Sequence, residues 1–341
     1  MRRSRSSLSP AAILVLGITL LTGIVETAGA QDRNYLLATA TPGGTYYPVG
    51  VALATLTKVR LQPQHGVSLS AISSAGSGEN LKLLREDQAQ FAILQGLYGA
   101  WAWHGRGPIE AAGPQRFLRS VTMLWENVEH LIIASDKAGT GTAADIAALT
   151  GSKFSIGRRN SGTEGSGRHI LSALGTDPET LDLVYLGYGA SAEALINGNI
   201  DGMNIPAGPP VAAVTRAFAA LGDRIRILDF TDEQIAAANR EYPLWSRYLI
   251  PADTYPGQEK PVHSIAQPNF LAVRADVDEE AVYLITKAIY ENLPFLAGIH
   301  RATKAMSLER AVTGLPVPLH PGAARYFRER GLAIPPELAA P

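Results

Sequence analysis

After the first thirty residues the chain alternates short apolar runs with longer amphipathic ones. Residues 35–38 form an apolar run, and 49–59 carry a helical period. Val67–Ile72 alternates apolar and polar positions, as a half-buried strand does, and 81–87 is amphipathic. Residues 89–94 are apolar and end at Gln95. This order, strand–helix–strand–helix–strand, predicts a mainly parallel sheet with helices on both faces. Residues 96–114 read as an irregular excursion with a short helix, and 117–124 and 129–134 as two strands. A second series follows over about 137–250, with strands at 153–156, 183–186 and 200–205 and helices at 165–174, 190–196 and 211–220. The proline-rich stretch 251–268 reads as loop, 269–273 as a strand, 278–292 as a helix, and the chain closes with a helix through Arg330.

Short strands on both sides of the second series place it as an insertion in the first. The expected organisation is α/β, a two-lobed binding-protein-like fold of type II. Residues 31–134 plus 265–341 form lobe I, and 135–264 form lobe II. Two hinge crossings join them, near 131–136 and 263–273.

The loops between these elements carry the candidate chemistry. Three Gly/Ser/Thr-rich loops, 43–47, 76–80 and 157–163, each lead from a strand into a helix, and 206–210 makes a fourth. A helix N-terminus presents free N–H groups and favours an anion by roughly 0.3–1 kcal/mol, up to about 2 when partly buried. The first loop offers the hydroxyls of Thr41, Thr45, Tyr46 and Tyr47, and the third offers Arg158 and Arg159, which could add a charge-assisted grip on a carboxylate. Ligands on such sheets sit at the carboxyl ends of strands, where Gln95 also emerges.

Catalytic and metal motifs are missing. There is no phosphate-loop lysine motif, no nucleophile elbow and no His-Glu-x-x-His helix. The 7 His are scattered without a helical pair. Residues 187–192, Gly-Tyr-Gly-Ala-Ser-Ala, nominally fit a dinucleotide fingerprint but lack the acidic residue downstream, so they read as tight strand–helix packing and no cofactor is expected. Glu79 and Glu164 lie in first helical turns, where the dipole favours them; a hydrolase or lyase using one of them is the enzymatic alternative.

Composition adds the compartment. Arg2, Arg3 and Arg5 precede an apolar run at 11–25, shorter than the roughly 20 residues a span requires, and Ala28-Gly29-Ala30 supplies a cleavage site. Residues 1–30 therefore read as a signal peptide for export to the periplasm, with an uncleaved anchor as the alternative. The chain has 0 Cys, so disulfides and thiolate chemistry are excluded, and its 30 basic and 31 acidic residues give no field for nucleic acid.

Taken in order, several segments resemble the TAXI family of TRAP-transporter solute receptors. They are Thr41-Pro-Gly-Gly-Thr-Tyr-Tyr-Pro-Val-Gly50, Ser74-Ala-Gly-Ser-Gly-Glu-Asn-Leu81, Phe91-Ala-Ile-Leu-Gln95, Asn160-Ser-Gly-Thr163 and Leu195-Ile-Asn-Gly-Asn-Ile-Asp201 with Ala207-Gly-Pro209. Residues 250–257 and 319–331 complete the match. The resemblance implies a monomeric periplasmic receptor that captures glutamate, a related amino acid or a dicarboxylate such as 2-oxoglutarate between two lobes. It would then deliver the solute to a membrane permease; a sensing subunit on the same fold is the alternative. By position, Gly44, Thr45, Tyr46, Ser77, Asn80 and Gln95 would contact the ligand from the first lobe, and Ser161, Gly162, Thr163, Ala207 and Gly208 from the second. Two departures stand out. Arg158, Arg159 and Asn160 replace the family's usual Ala-Pro-Gly, and Gly96-Leu97 stands where a small residue and Asp are common. Losing an acid and gaining two arginines argues for a more anionic ligand than glutamate.

Overall fold

A computed structural model describes residues 32–339; the expected signal segment lies outside them. The first half of the chain forms β1 (Arg33–Ala38), α1 (Tyr46–Arg60), a single turn α2 (Gln62–His65), β2 (Val67–Ile72), α3 (Ser77–Arg85), β3 (Phe91–Gln95), α4 (Gly96–His104) and β4 (Leu118–Val128). Next come β5 (Leu131–Ala134), β6 (Lys153–Ser155), α5 (Gly162–Ala173), β7 (Asp182–Val184), α6 (Tyr188–Ile196), β8 (Gly202–Asn204), α7 (Ala212–Leu221), β9 (Ile225–Ile227) and α8 (Asp232–Ala238). The chain ends with β10 (Ser246–Ile250), β11 (Val262–Arg274), α9 (Glu279–Glu291), α10 (Leu293–Ile299) and α11 (Pro321–Glu329).

Two mixed sheets result. In the first, β1 pairs in parallel with β2 and β3, and β11 runs antiparallel to β3 on one edge and β4 on the other. The early half of β11 pairs with β10. The second sheet has the order β7-β6-β8-β5-β9, parallel across β7, β6 and β8 and antiparallel at β5. The βα units expected from the periodicity are therefore parallel, and the departure comes from the strands that carry the chain between sheets. β5 lies in the second sheet although the expected boundary put it in lobe I, and β10 lies in the first although it was placed in lobe II.

β11 also corrects the reading of 251–268 as loop: strand begins at Val262 and passes through Pro268. The proline is tolerated because pairing on one edge has left β10 at Ala266 and reaches β3 only at Asn269. β5 shows how one strand serves two cores. Leu131 and Ile133 belong to the apolar cluster that runs under the first sheet, while Ile132 points into a second cluster with Val128, Met203, Ile227 and Ala266.

The His320-Pro-Gly-Ala turn anchors the C-terminal helix. Nδ1 of His320 accepts from the Gly322 N–H at 3.3 Å, and Nε2 donates to the Val277 carbonyl at 3.0 Å. A Cβ on Gly322 would lie 2.2 Å from the Glu279 carbonyl, so α11 and α9 meet backbone to backbone. Gly322→Ala is expected to destabilise the fold by about 1–3 kcal/mol, read in urea unfolding.

Candidate functional site

The loops at the carboxyl ends of the strands meet in one cleft between the two sheets. Its lining includes residues following β1 (Ala40, Thr41, Gly44, Thr45, Tyr46), β2 (Ala75, Gly76, Ser77), β6 (Arg158, Ser161, Gly162, Thr163), β7 (Gly187, Tyr188) and β8 (Pro206, Ala207). Gln95 from the end of β3 and Asn127 from the end of β4 complete it. In this arrangement the cleft is nearly closed, with only about 30 Å³ open to the centre of a water-sized sphere, so a solute enters only when the loops part.

Four helices start on this cleft. Thr45, Gly76, Ser161 and Gly187 are the N-caps of α1, α3, α5 and α6, and all four line it. Two of the caps are glycines, so no side chain covers the N–H groups behind them. Gly76 has φ +125°, open to glycine alone, and a Cβ there would lie 3.4 Å from the Gly162 nitrogen on the opposing helix. Ser161 Oγ accepts from the Glu164 N–H at 3.0 Å, so its hydroxyl serves α5. Arg158 is the one cation in the lining, and no aspartate or glutamate is among the lining residues.

The two sheets' helices touch across the cleft. Asn160's carbonyl accepts from the Glu79 N–H at 2.9 Å, Tyr98 donates to the Ser161 carbonyl at 3.1 Å, and Thr45 Oγ1 donates to the Gly208 carbonyl at 3.0 Å. Tyr188 bonds Thr163 Oγ1 at 2.8 Å and donates to the Pro206 carbonyl at 2.6 Å, while Tyr46 donates to Asn269 Oδ1 at 2.5 Å. Burial pushes the phenols of Tyr46 and Tyr188 far up, so both remain neutral donors.

Of the thirteen residues singled out from the sequence, ten line the cleft: Gly44, Thr45, Tyr46, Ser77, Gln95, Arg158, Ser161, Gly162, Thr163 and Ala207. Asn80, Arg159 and Gly208 do not. Asn80 Nδ2 donates to the carbonyls of Thr39 (2.7 Å) and Ile93 (2.9 Å), and Oδ1 accepts from Ser74. Its amide therefore ties the ends of β1 and β3 together. Gly208 offers its carbonyl to Thr45 and lets Trp125 approach; a Cβ there would lie 2.7 Å from the indole.

The paired-arginine grip is not formed. Ser161 N–H donates to the Arg158 carbonyl at 3.1 Å, closing a turn with Asn160 at φ +61°. Arg159 sits at the outer corner and stacks its guanidinium 3.6 Å over the ring of Tyr185. Arg158→Ala is expected to weaken acid binding about 10- to 150-fold by calorimetry, and Arg159→Ala to leave it within a factor of about three. Glu79 and Glu164 are engaged in shaping loops: each accepts a backbone N–H, from Ala75 at 2.5 Å and Asn160 at 2.7 Å.

Gly76 and Pro206 lie in two of the four loops singled out from the sequence, whereas Asn127, Gly187 and Tyr188 escaped that reading. Asn127 is fully buried and neither end of its amide has a partner, so it offers both a donor and an acceptor to the cleft. The expected strand stopped three residues short of it. Tyr188 lies in the segment read as packing; a tyrosine at the first turn of a helix that starts on the cleft was the available signal.

Residues 37–331 match the sequence profile of the NMT1-like family. Among solved structures, the chain is similar to MatC (Rpa3494) from Rhodopseudomonas palustris with bound malate, at 16% identity and TM-score 0.54, covering 87% of this chain and 98% of that one. It is also similar to the alkanesulfonate-binding protein SsuA from Xanthomonas axonopodis pv. citri bound to MOPS (12% identity, TM-score 0.48, 88% of this chain and 92% of that one). A TctC solute binding protein from Polaromonas gives 14% identity and TM-score 0.45 over 82% of this chain and 88% of that one. The likeness to MatC shows a shared two-sheet α/β fold.

Proposed function

Because the chain belongs to the NMT1-like family and its cleft is ringed by helix N-termini, we propose that it is an extracytoplasmic solute receptor, closing two lobes on a small acidic molecule. One observation carries this reading: four N-caps and Arg158 converge on a cleft whose lining holds no carboxylate. Such a site stabilises negative charge and has no counter-charge for an ammonium group. The favoured ligand is a dicarboxylate or 2-oxo acid, ahead of an amino acid such as glutamate. The malate recorded in MatC supports that class.

The loops move no proton and activate no nucleophile, so the role is capture and release. Delivery to a TRAP-type permease rests on the resemblance of 41–50, 74–81 and 160–163 to the TAXI receptors. Among the described residues no helix is long and apolar enough to cross a membrane.

A thermal-shift screen of dicarboxylates, 2-oxo acids and amino acids tests the proposal. A ligand at 100 times its Kd stabilises by about 2.7 kcal/mol, roughly 5–10 °C for a chain of this size. A dicarboxylate or 2-oxo acid is expected to give the largest shift. No shift from any acid overturns the reading, and a larger shift with glutamate than with 2-oxoglutarate overturns the preference.

A further inference from the structure

Behind the cleft the chain passes from β4 to β5 through Glu129 and His130, neither of which has exposed surface. His130 is fully engaged. Its Nδ1–H donates to the carbonyls of Val128 (2.9 Å) and Ile205 (3.0 Å), leaving Nε2 to accept from the Tyr255 hydroxyl at 2.8 Å. Glu129 is the opposite. Its backbone is held by Ile265 (2.9 Å) and Ser264 (2.5 Å), yet neither carboxyl oxygen has a hydrogen-bond partner.

Three side chains face that carboxyl: Ser166 on α5, Asn204 at the end of β8, and Trp245 just before β10. Ser166 Oγ, both amide atoms of Asn204 and Trp245 Nε1 are also buried and without a partner. Four segments thus bring their unused polar atoms to one enclosed point. The titratable groups around it are Tyr188, whose ring lines the cleft, and His169, stacked 5.0 Å from Trp245. No lysine or arginine pairs with Glu129 among the described residues.

An enclosed carboxylate without a counter-charge costs several kcal/mol, whereas a protonated one is both donor and acceptor. Its O–H can then serve Asn204 Oδ1 or Ser166, and its other oxygen can accept from Trp245 or the Asn204 NH₂. We propose that Glu129, with Ser166, Asn204 and Trp245, is an enclosed proton-binding site at the crossing between the two sheets. The folded chain carries a bound proton there in place of a charge.

Burial raises this carboxyl from 4.5 to about 7, with the donors of Asn204, Ser166 and Trp245 offsetting only part of the effect. The sign follows from linkage. Below about 4.5 both folded and unfolded chains hold the proton. Between 4.5 and about 7 only the folded chain does, so stability from this group falls as the pH rises through that window and levels off above it.

The test needs no solute, so its outcome is separate from that of the receptor reading. In protein labelled with ¹³C at glutamate side chains, one carboxyl is expected to titrate near pH 7, and that signal should be absent from Glu129→Gln. The thermal midpoint of wild type should fall by several degrees relative to Glu129→Gln between pH 5 and pH 8. If Glu129→Gln does not fold, Trp245→Phe, which removes one donor to the carboxylate, should move the high midpoint further up. Glutamates that all titrate in the ordinary range, parallel stability curves, or a midpoint unmoved in Trp245→Phe would overturn the assignment.

Discussion

Replacing Gly78 by alanine is expected to lower solute affinity by about 5- to 150-fold while leaving the unfolding midpoint nearly unchanged. Gly78 is the second residue of α3, where alanine is a better helix former than glycine by up to about 1 kcal/mol. Nothing within its own helix opposes the change. Across the cleft, however, a Cβ would lie 2.5 Å from the carbonyl oxygen of Asn160 and 3.0 Å from its carbon. That carbonyl belongs to the turn before α5 and already accepts the Glu79 N–H, so it cannot withdraw without breaking the contact between the two halves. The Cβ would also lie 3.2 Å from the Tyr98 ring on α4, a smaller strain that a slight ring shift relieves. Most of the usual overpacking cost, about 1–3 kcal/mol, therefore falls on the contact with Asn160 and appears as lost affinity. Calorimetric titration beside a melting curve separates the two effects, and unchanged affinity would show that this contact is not part of the bound state.

The largest loss of stability is expected from Trp125→Ala, about 3–5 kcal/mol, or some 6–20 °C in melting temperature. Trp125 is only 1% exposed and lies on β4 opposite Asn269 of β11. Its indole meets the Tyr46 ring edge-on at 5.9 Å and fills the space that Gly208 leaves open. Removing it empties the packing beneath the cleft floor, so Tyr46 and the 206–208 loop lose their support, and ligand affinity should fall with stability. Trp103 provides the contrast. It is half-buried, with the Arg116 guanidinium 4.2 Å over its ring, and Trp103→Ala should cost about 1 kcal/mol or less.

Much of this architecture was legible before any coordinates. The switch between two-residue and helical periods located β1, β2, β3 and the helices after them because those elements bury one face locally. The Gly/Ser/Thr-rich loops pointed to the cleft because a helix N-terminus needs small or hydroxylic residues wherever a ligand is to approach its N–H groups. What escaped were features set by distant partners. Pro268 looked like a loop residue because its place in β11 depends on where β10 stops and β3 begins. Asn80 and Arg159 sit in the right segments, but hydrogen bonding to two strand ends turns one inward and a tight turn sends the other outward. Asn127 and Glu129 carry no local motif. Their importance comes from burial without partners, which only the assembled sheets reveal.

The proposed role is that of a cleft that holds an acid and returns it unchanged. Calorimetric titration of the chain with 2-oxoglutarate, malate and succinate, followed by recovery of the bound molecule, tests this most directly. One acid should bind per chain, weaken sharply in Arg158→Ala, and be recovered chemically intact. No binding across the three acids, or a recovered product differing from what was added, would contradict it.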